Sequence, residues 1–72
     1  MNEAIDFYME VEVVDPRSVY VGRRGGVLGI SQEEDGVVKG YAVMLHGMDT
    51  SVFFESGDVV ATGVRFDRSH YY

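Results

Sequence analysis

Between Gly26 and Val64 the chain reads as one short apolar run after another, each broken by a glycine-bearing turn. Runs of that length with alternating polarity form strands, and Gly, Asp and Pro punctuate them too often for helices. The first run, Phe7-Tyr8-Met9-Glu10-Val11-Glu12-Val13-Val14, sets the pattern. A strand sends successive side chains to opposite faces, so Phe7, Met9, Val11 and Val13 are expected inside, with Tyr8, Glu10 and Glu12 on a wet, acidic face. Asp15-Pro16 ends it, since proline has no amide hydrogen for a ladder.

Residues 17–24 read as a loop with a short extended piece at Val19-Tyr20-Val21. Gly25-Gly26 leads into a second strand, Val27 to Ser31, with Leu28 and Ile30 facing the core and Gly29 marking a bend. Gln32-Glu33-Glu34-Asp35-Gly36 is a hairpin turn. The third strand, Val37 to His46, places Tyr41, Val43 and Leu45 on one face, with Ala42, Met44 and His46 on the other. After Gly47-Met48-Asp49-Thr50 comes a fourth strand, Ser51 to Glu55, then a helical turn over 58–61 started by Asp58, then a fifth strand, Thr62 to Phe66. Residues 67–72 form a polar-aromatic tail.

This order predicts an all-β fold: a five-stranded SH3-like barrel with one short helical turn before the last strand, occupying residues 1–72 as a single domain. Barrel closure removes the exposed edges of an open sheet. The alternative is an open, curved antiparallel sheet that dimerises to cover its apolar face, so the expected state is a monomer or weak homodimer. At 72 residues without cysteine, stability has to come from packing of the apolar side chains.

The same features narrow the chemistry. Twelve acidic and six basic residues give a net charge of −6, which repels phosphate backbones and anionic lipid and attracts cationic partners. Nucleic acid and membranes are therefore not expected partners. The first six residues are acidic and lack the apolar run of a secretory signal, so a cytoplasmic location is expected. Nucleophilic catalysis needs a nucleophile beside an oriented base, but cysteine is missing and the histidines, His46 and His70, stand in no such motif. Asp67-x-x-His70 with His46 is a weak metal set against the three or four ligands zinc requires. The reading is a non-enzymatic protein with no catalytic residue, cofactor or metal. Gly22-Arg23-Arg24-Gly25-Gly26 lacks the lysine and following helix of a phosphate loop and reads as a plain flexible connection; equally open is that its paired arginines anchor the loop to Glu10, Glu12 or the acidic turn.

Nine aromatic residues are more than so small a core encloses. If Val52 and Phe54 point inward, Phe53 points out. Exposed aromatics beside carboxylates resemble the anchor and charged rim of a protein interface. The expected partner-binding residues are Tyr8, Glu10, Glu12, Glu33, Glu34, Asp35, Asp49 and Phe53.

The ordered string Phe7-Tyr8-x-x-Val11, Gly25-Gly26-x-Leu28-Gly29, Asp35-Gly36, Tyr41-Ala42-Val43, Asp58-Val59 and Thr62-Gly63 resembles the small all-β immunity proteins of bacterial polymorphic toxin systems, of the immunity protein 31 kind. That resemblance, spanning Phe7 to Phe66, implies a cytoplasmic inhibitor that binds a cognate toxin domain stoichiometrically, and it brings no catalytic residues. The alternative function is an SH3-like adaptor that holds a protein or proline-rich peptide, for which Tyr8 and Tyr20 are the candidate groove aromatics.

Overall fold

The computed structural model describes residues 4–66. They form β1 (Met9–Val13), β2 (Arg24–Gln32), β3 (Val38–Leu45), β4 (Val52–Glu55), one 3-10 turn (Ser56–Asp58) and β5 (Val59–Arg65). Every pairing is antiparallel, and the five strands lie in the order β4-β3-β2-β1-β5. The last strand thus returns beside the first, leaving β4 and β5 as the two edges of one sheet.

Those edges are joined by only the three residues of the 3-10 turn. A link of that length reaches at most about 14 Å, whereas the outer strands of a flat five-stranded sheet stand about 19 Å apart. The sheet therefore has to curl until its edges approach at the corner. The overall extents of 33 × 30 × 25 Å agree, since a flat sheet is a layer only about 10 Å thick. Among the described residues, however, no ladder joins β4 to β5, so the sheet stays open where a closed barrel was expected. The physical reason is local: the edges meet through a tight turn, anchored by the Val14 amide donating to the Asp58 carbonyl at 2.8 Å, rather than side by side.

Curling wraps the apolar face on itself. Val11 and Val13 from β1, Val27 from β2, Tyr41, Val43 and Leu45 from β3, Phe54 from β4 and Val59 from β5 make one buried cluster. Ile5, Tyr20 and Met48, from the leading segment and two loops, pack against it. Tyr20 meets Phe54 edge-on, ring centroids 6.0 Å apart. Gly25 lies where Val11, Gly25 and Leu45 face one another across three strands. A Cβ there would sit 2.3 Å from the Met44 carbonyl oxygen, so β2 and β3 approach more closely than any side chain permits.

Several expectations are corrected by this geometry. Tyr8 adopts φ 64°, the left-handed region that a bulky residue rarely occupies. Its amide donates to the Val27 carbonyl at 2.8 Å and its carbonyl accepts from the Phe66 amide at 2.7 Å, which holds the turn in place. The reversal interrupts the alternation, so Met9 is buried while Phe7 is exposed. A bulge between Val27 and Gly29 removes Leu28 from the pairing, so Val27 enters the core and Leu28 is half-buried. Gly29 does mark the irregularity. The segment around Val19-Tyr20-Val21 is a chain of turns, with the Val21 amide on the Ser18 carbonyl and the Arg23 amide on the Tyr20 carbonyl, and not an extended piece. The helical turn falls earlier than expected, at Ser56–Asp58, without a side-chain cap, and residues 59–61 belong to β5. The hairpin at Glu33–Gly36 is as expected, closed by the Glu33 amide on the Val37 carbonyl, with Gly36 at φ 83°. The tail at 67–72, including His70, lies outside the described residues.

The Gly25 approach gives a direct test. Gly25→Ala forces backbone apart and should cost about 2 kcal/mol in urea unfolding. Gly57→Ala, whose Cβ meets nothing within 4 Å, should stay within about 0.5 kcal/mol of the parent. Equal stabilities for the two variants would remove the close approach from the account of the fold.

Candidate functional site

Residues paired across a ladder share a face, so the register defines the side of the sheet turned away from the core. One row runs Glu10, Gly26, Met44; the next, Gly29, Ala42, Phe53; the next, Ser31, Gly40, Glu55. Glu12, Arg24 and Val60 complete the β1 and β5 side. This outer face carries two separate clusters, with only small residues and Met44 between them.

The first cluster centres on Glu10. Alternation puts it on the expected face, but it is not wet: Glu10 is only 8% exposed. The cause is a bulge in β5. Thr62, Gly63 and Val64 stand opposite the single Glu10, with Gly63 at φ 92°. That detour brings the Thr62 hydroxyl to donate to Glu10 Oε1 at 2.6 Å. From β3's end, His46 Nε2 lies 2.8 Å from Glu10 Oε2. The Phe66 ring stands edge-on to His46, centroids 5.5 Å apart, and Arg23 reaches across to the His46 carbonyl at 3.0 Å. Beside them Arg24 Nε donates to Glu12 Oε1 at 2.8 Å, the loop anchor anticipated for one of the two arginines.

Both Glu10 oxygens are thus engaged. The Thr62 hydrogen bond, then the His46 hydrogen bond, then the charges of His46 and Arg24 hold its carboxyl below the ordinary 4.5, against desolvation, which pushes the other way. A carboxylate that orients an imidazole is part of a general-base arrangement. Here, though, the hydroxyl donates to the carboxylate and not to the imidazole, so the trio is wired as a cross-strand clamp joining β1, β3 and β5. Glu10 and His46 are 36 positions apart, and the sequence offers no local signal of their meeting.

The second cluster surrounds Phe53, which is 56% exposed at the β4 edge. Its ring lies across Gly40, where a Cβ would come within 2.4 Å of it. Next to the ring is an open concavity of about 630 Å³ lined by Ser31, Val38, Lys39, Phe53, Glu55, Ser56, Gly57 and Asp58. A second concavity of similar size, lined by Ser31, Gln32, Glu33, Glu34, Asp35 and Lys39, adjoins it through Ser31 and Lys39. The pair forms a shallow acidic trough: the carboxylates of Glu33, Glu34, Asp35, Glu55 and Asp58 around Lys39, whose Nζ is 4.0 Å from Glu33 Oε1.

Of the eight residues expected at a partner surface, Phe53, Glu33, Glu34 and Asp35 come together here. Glu10 is buried and spent on the clamp, which corrects its expected place on a wet face. Glu12 is half-buried and paired with Arg24. Tyr8 is half-buried at the start of β1. Asp49 is exposed in the β3–β4 turn, at the other end of β3 from the acidic hairpin. Glu55 and Asp58 were not anticipated; the strand alternation that exposes Phe53 also exposes Glu55.

Among the described residues no group of three or more His, Cys, Asp or Glu is placed to hold a metal ion, and no helix is long and apolar enough to cross a membrane. Compared with models of known protein families, with curated proteins and with solved structures, the chain matches none.

The clamp sets a pH dependence. A carboxyl whose folded pKa is depressed stabilises the fold above its unfolded value and loses that contribution as pH falls through the folded one. Urea midpoints should therefore drop on acidification below about pH 4.5. Thr62→Val, which removes the largest cause, should cost about 1 kcal/mol at neutral pH and flatten that acid limb. An acid limb identical in Thr62→Val and parent would dissociate Glu10 from the effect.

Proposed function

We propose that this domain is a cytoplasmic immunity protein that binds and neutralises a cognate toxin domain through the Phe53 trough. The observation that carries the reading is an exposed aromatic ring at a sheet edge, lining one of two adjoining concavities that together carry five carboxylates and a single lysine. An aromatic anchor surrounded by charge is the layout in which a few residues dominate binding, and complementary charge accelerates encounter and sharpens specificity. The net charge of −6 favours a basic partner. The family resemblance read from the sequence supplies the toxin. The strand order, the long β1–β2 connection and the 3-10 turn before β5 support assigning the domain to the SH3-like type, with its seam left open.

The adaptor alternative is less well supported. A proline-peptide groove needs clustered exposed aromatics, whereas Tyr20 is packed against Phe54.

Co-expression with the product of the neighbouring upstream gene tests the proposal: toxicity should disappear and a complex should co-purify. Persistent toxicity without a complex would retire it. Reversal of Glu33, Glu34 and Asp35 to lysine should slow association and reduce its salt dependence while leaving the fold intact. Unchanged association rates would exclude the acidic hairpin from the interface.

A further inference from the structure

Resting on that reading, we infer that the partner is held by strand addition: an extended, basic segment pairs with the free edge of β4. An edge strand presents unpaired amides and carbonyls, which proteins usually protect with lysine, proline or a bulge. β4, Val52-Phe53-Phe54-Glu55, has no lysine, proline or bulge; its protection is its length of four residues and the charge of Glu55, which repels an acidic strand and attracts a basic one. Its register with β3 is unbroken over all four residues, its composition favours extended backbone, and among the described residues no strand pairs with its other side. The opposite edge, β5, is a poorer template, because the Thr62–Val64 bulge and the positive φ of Gly63 interrupt it.

Charge selects the occupant. On the outer face an added strand meets Phe53 and Glu55, and where β4 ends it meets Asp58. Alternating basic side chains on such a strand reach these carboxylates while its backbone satisfies the β4 edge. A second copy of this chain is a worse fit: it also carries −6 and would set Glu55 and its neighbours against their like.

The probe is a fluorescein-labelled peptide of about ten residues alternating lysine with valine, titrated into the full chain. Companion peptides carry methylated backbone nitrogens at alternate positions, in each register, or glutamate in place of lysine. Anisotropy should show saturable binding of the basic peptide. Amide spectra should place the perturbations at residues 52–58. One methylated register and the acidic peptide should lose binding. Phe53→Ala and Glu55→Lys, both at exposed positions, should each weaken it about tenfold with unchanged circular dichroism. No saturable binding, equal binding by both methylated registers, or perturbations confined to β5 would overturn strand addition. Self-association of the free chain through β4, seen by sedimentation, would give the edge to a second copy and equally overturn it. Rescue from the toxin by a chain that ignores the basic peptide would leave the proposed function standing and remove only this mode of binding.

Discussion

Ser56–Asp58 carry the chain from one edge of the sheet to the other, and that short span dictates the curvature on which everything else rests. A five-stranded sheet without a helix or a second sheet to cover it can bury an apolar face only by folding over it. The three-residue link makes the fold-over obligatory, and the valine-rich inner positions make it favourable: side chains from all five strands meet in one cluster. Gly25 lets β2 and β3 close to the distance that curl requires. Ile5, Tyr20 and Met48 cover what the strands leave open.

Once the interior is committed to packing, chemistry is confined to the outer face, and its two clusters behave differently. A buried carboxylate is costly unless its oxygens are hydrogen-bonded. Glu10 meets that condition through Thr62 and His46, which ties β1, β5 and the end of β3 together and engages both of its oxygens. The Phe53 trough is the opposite case. Its ring is exposed, its carboxylates outnumber its lysine, and its strand ends the sheet. The first cluster holds the molecule; the second stays exposed to solvent, and the proposed binding function rests on it.

The strands were legible because their signals are local. Met9, Val11 and Val13 alternate with Glu10 and Glu12, Tyr41, Val43 and Leu45 share a face, and Asp35-Gly36 stands between two apolar runs. Each of these is read correctly without knowing any neighbour. The misassigned strand faces fall where a backbone irregularity breaks the period. Tyr8 at φ 64° turns Phe7 outward, and the bulge at Leu28 exchanges it with Val27. Of the site, Phe53 and the acidic hairpin were readable from alternation and turn composition. The Glu10–His46–Thr62 clamp was not, since Glu10 lies on β1, Thr62 on β5 and His46 just past the end of β3, and they meet only through the sheet's register.

From the amino acids alone come the all-β class, the number and approximate positions of the strands, the acidic character and the outward Phe53, because these depend on side-chain periodicity and composition within short windows. The tertiary structure alone decided that the curled sheet keeps an open seam, that Glu10 is buried and bonded rather than hydrated, and that Glu55 and Asp58 join Phe53 and the distant acidic hairpin in one trough. Those outcomes depend on which strands become neighbours and where their ladders slip, and long-range pairing is a property of the assembled sheet that no short stretch of the chain encodes.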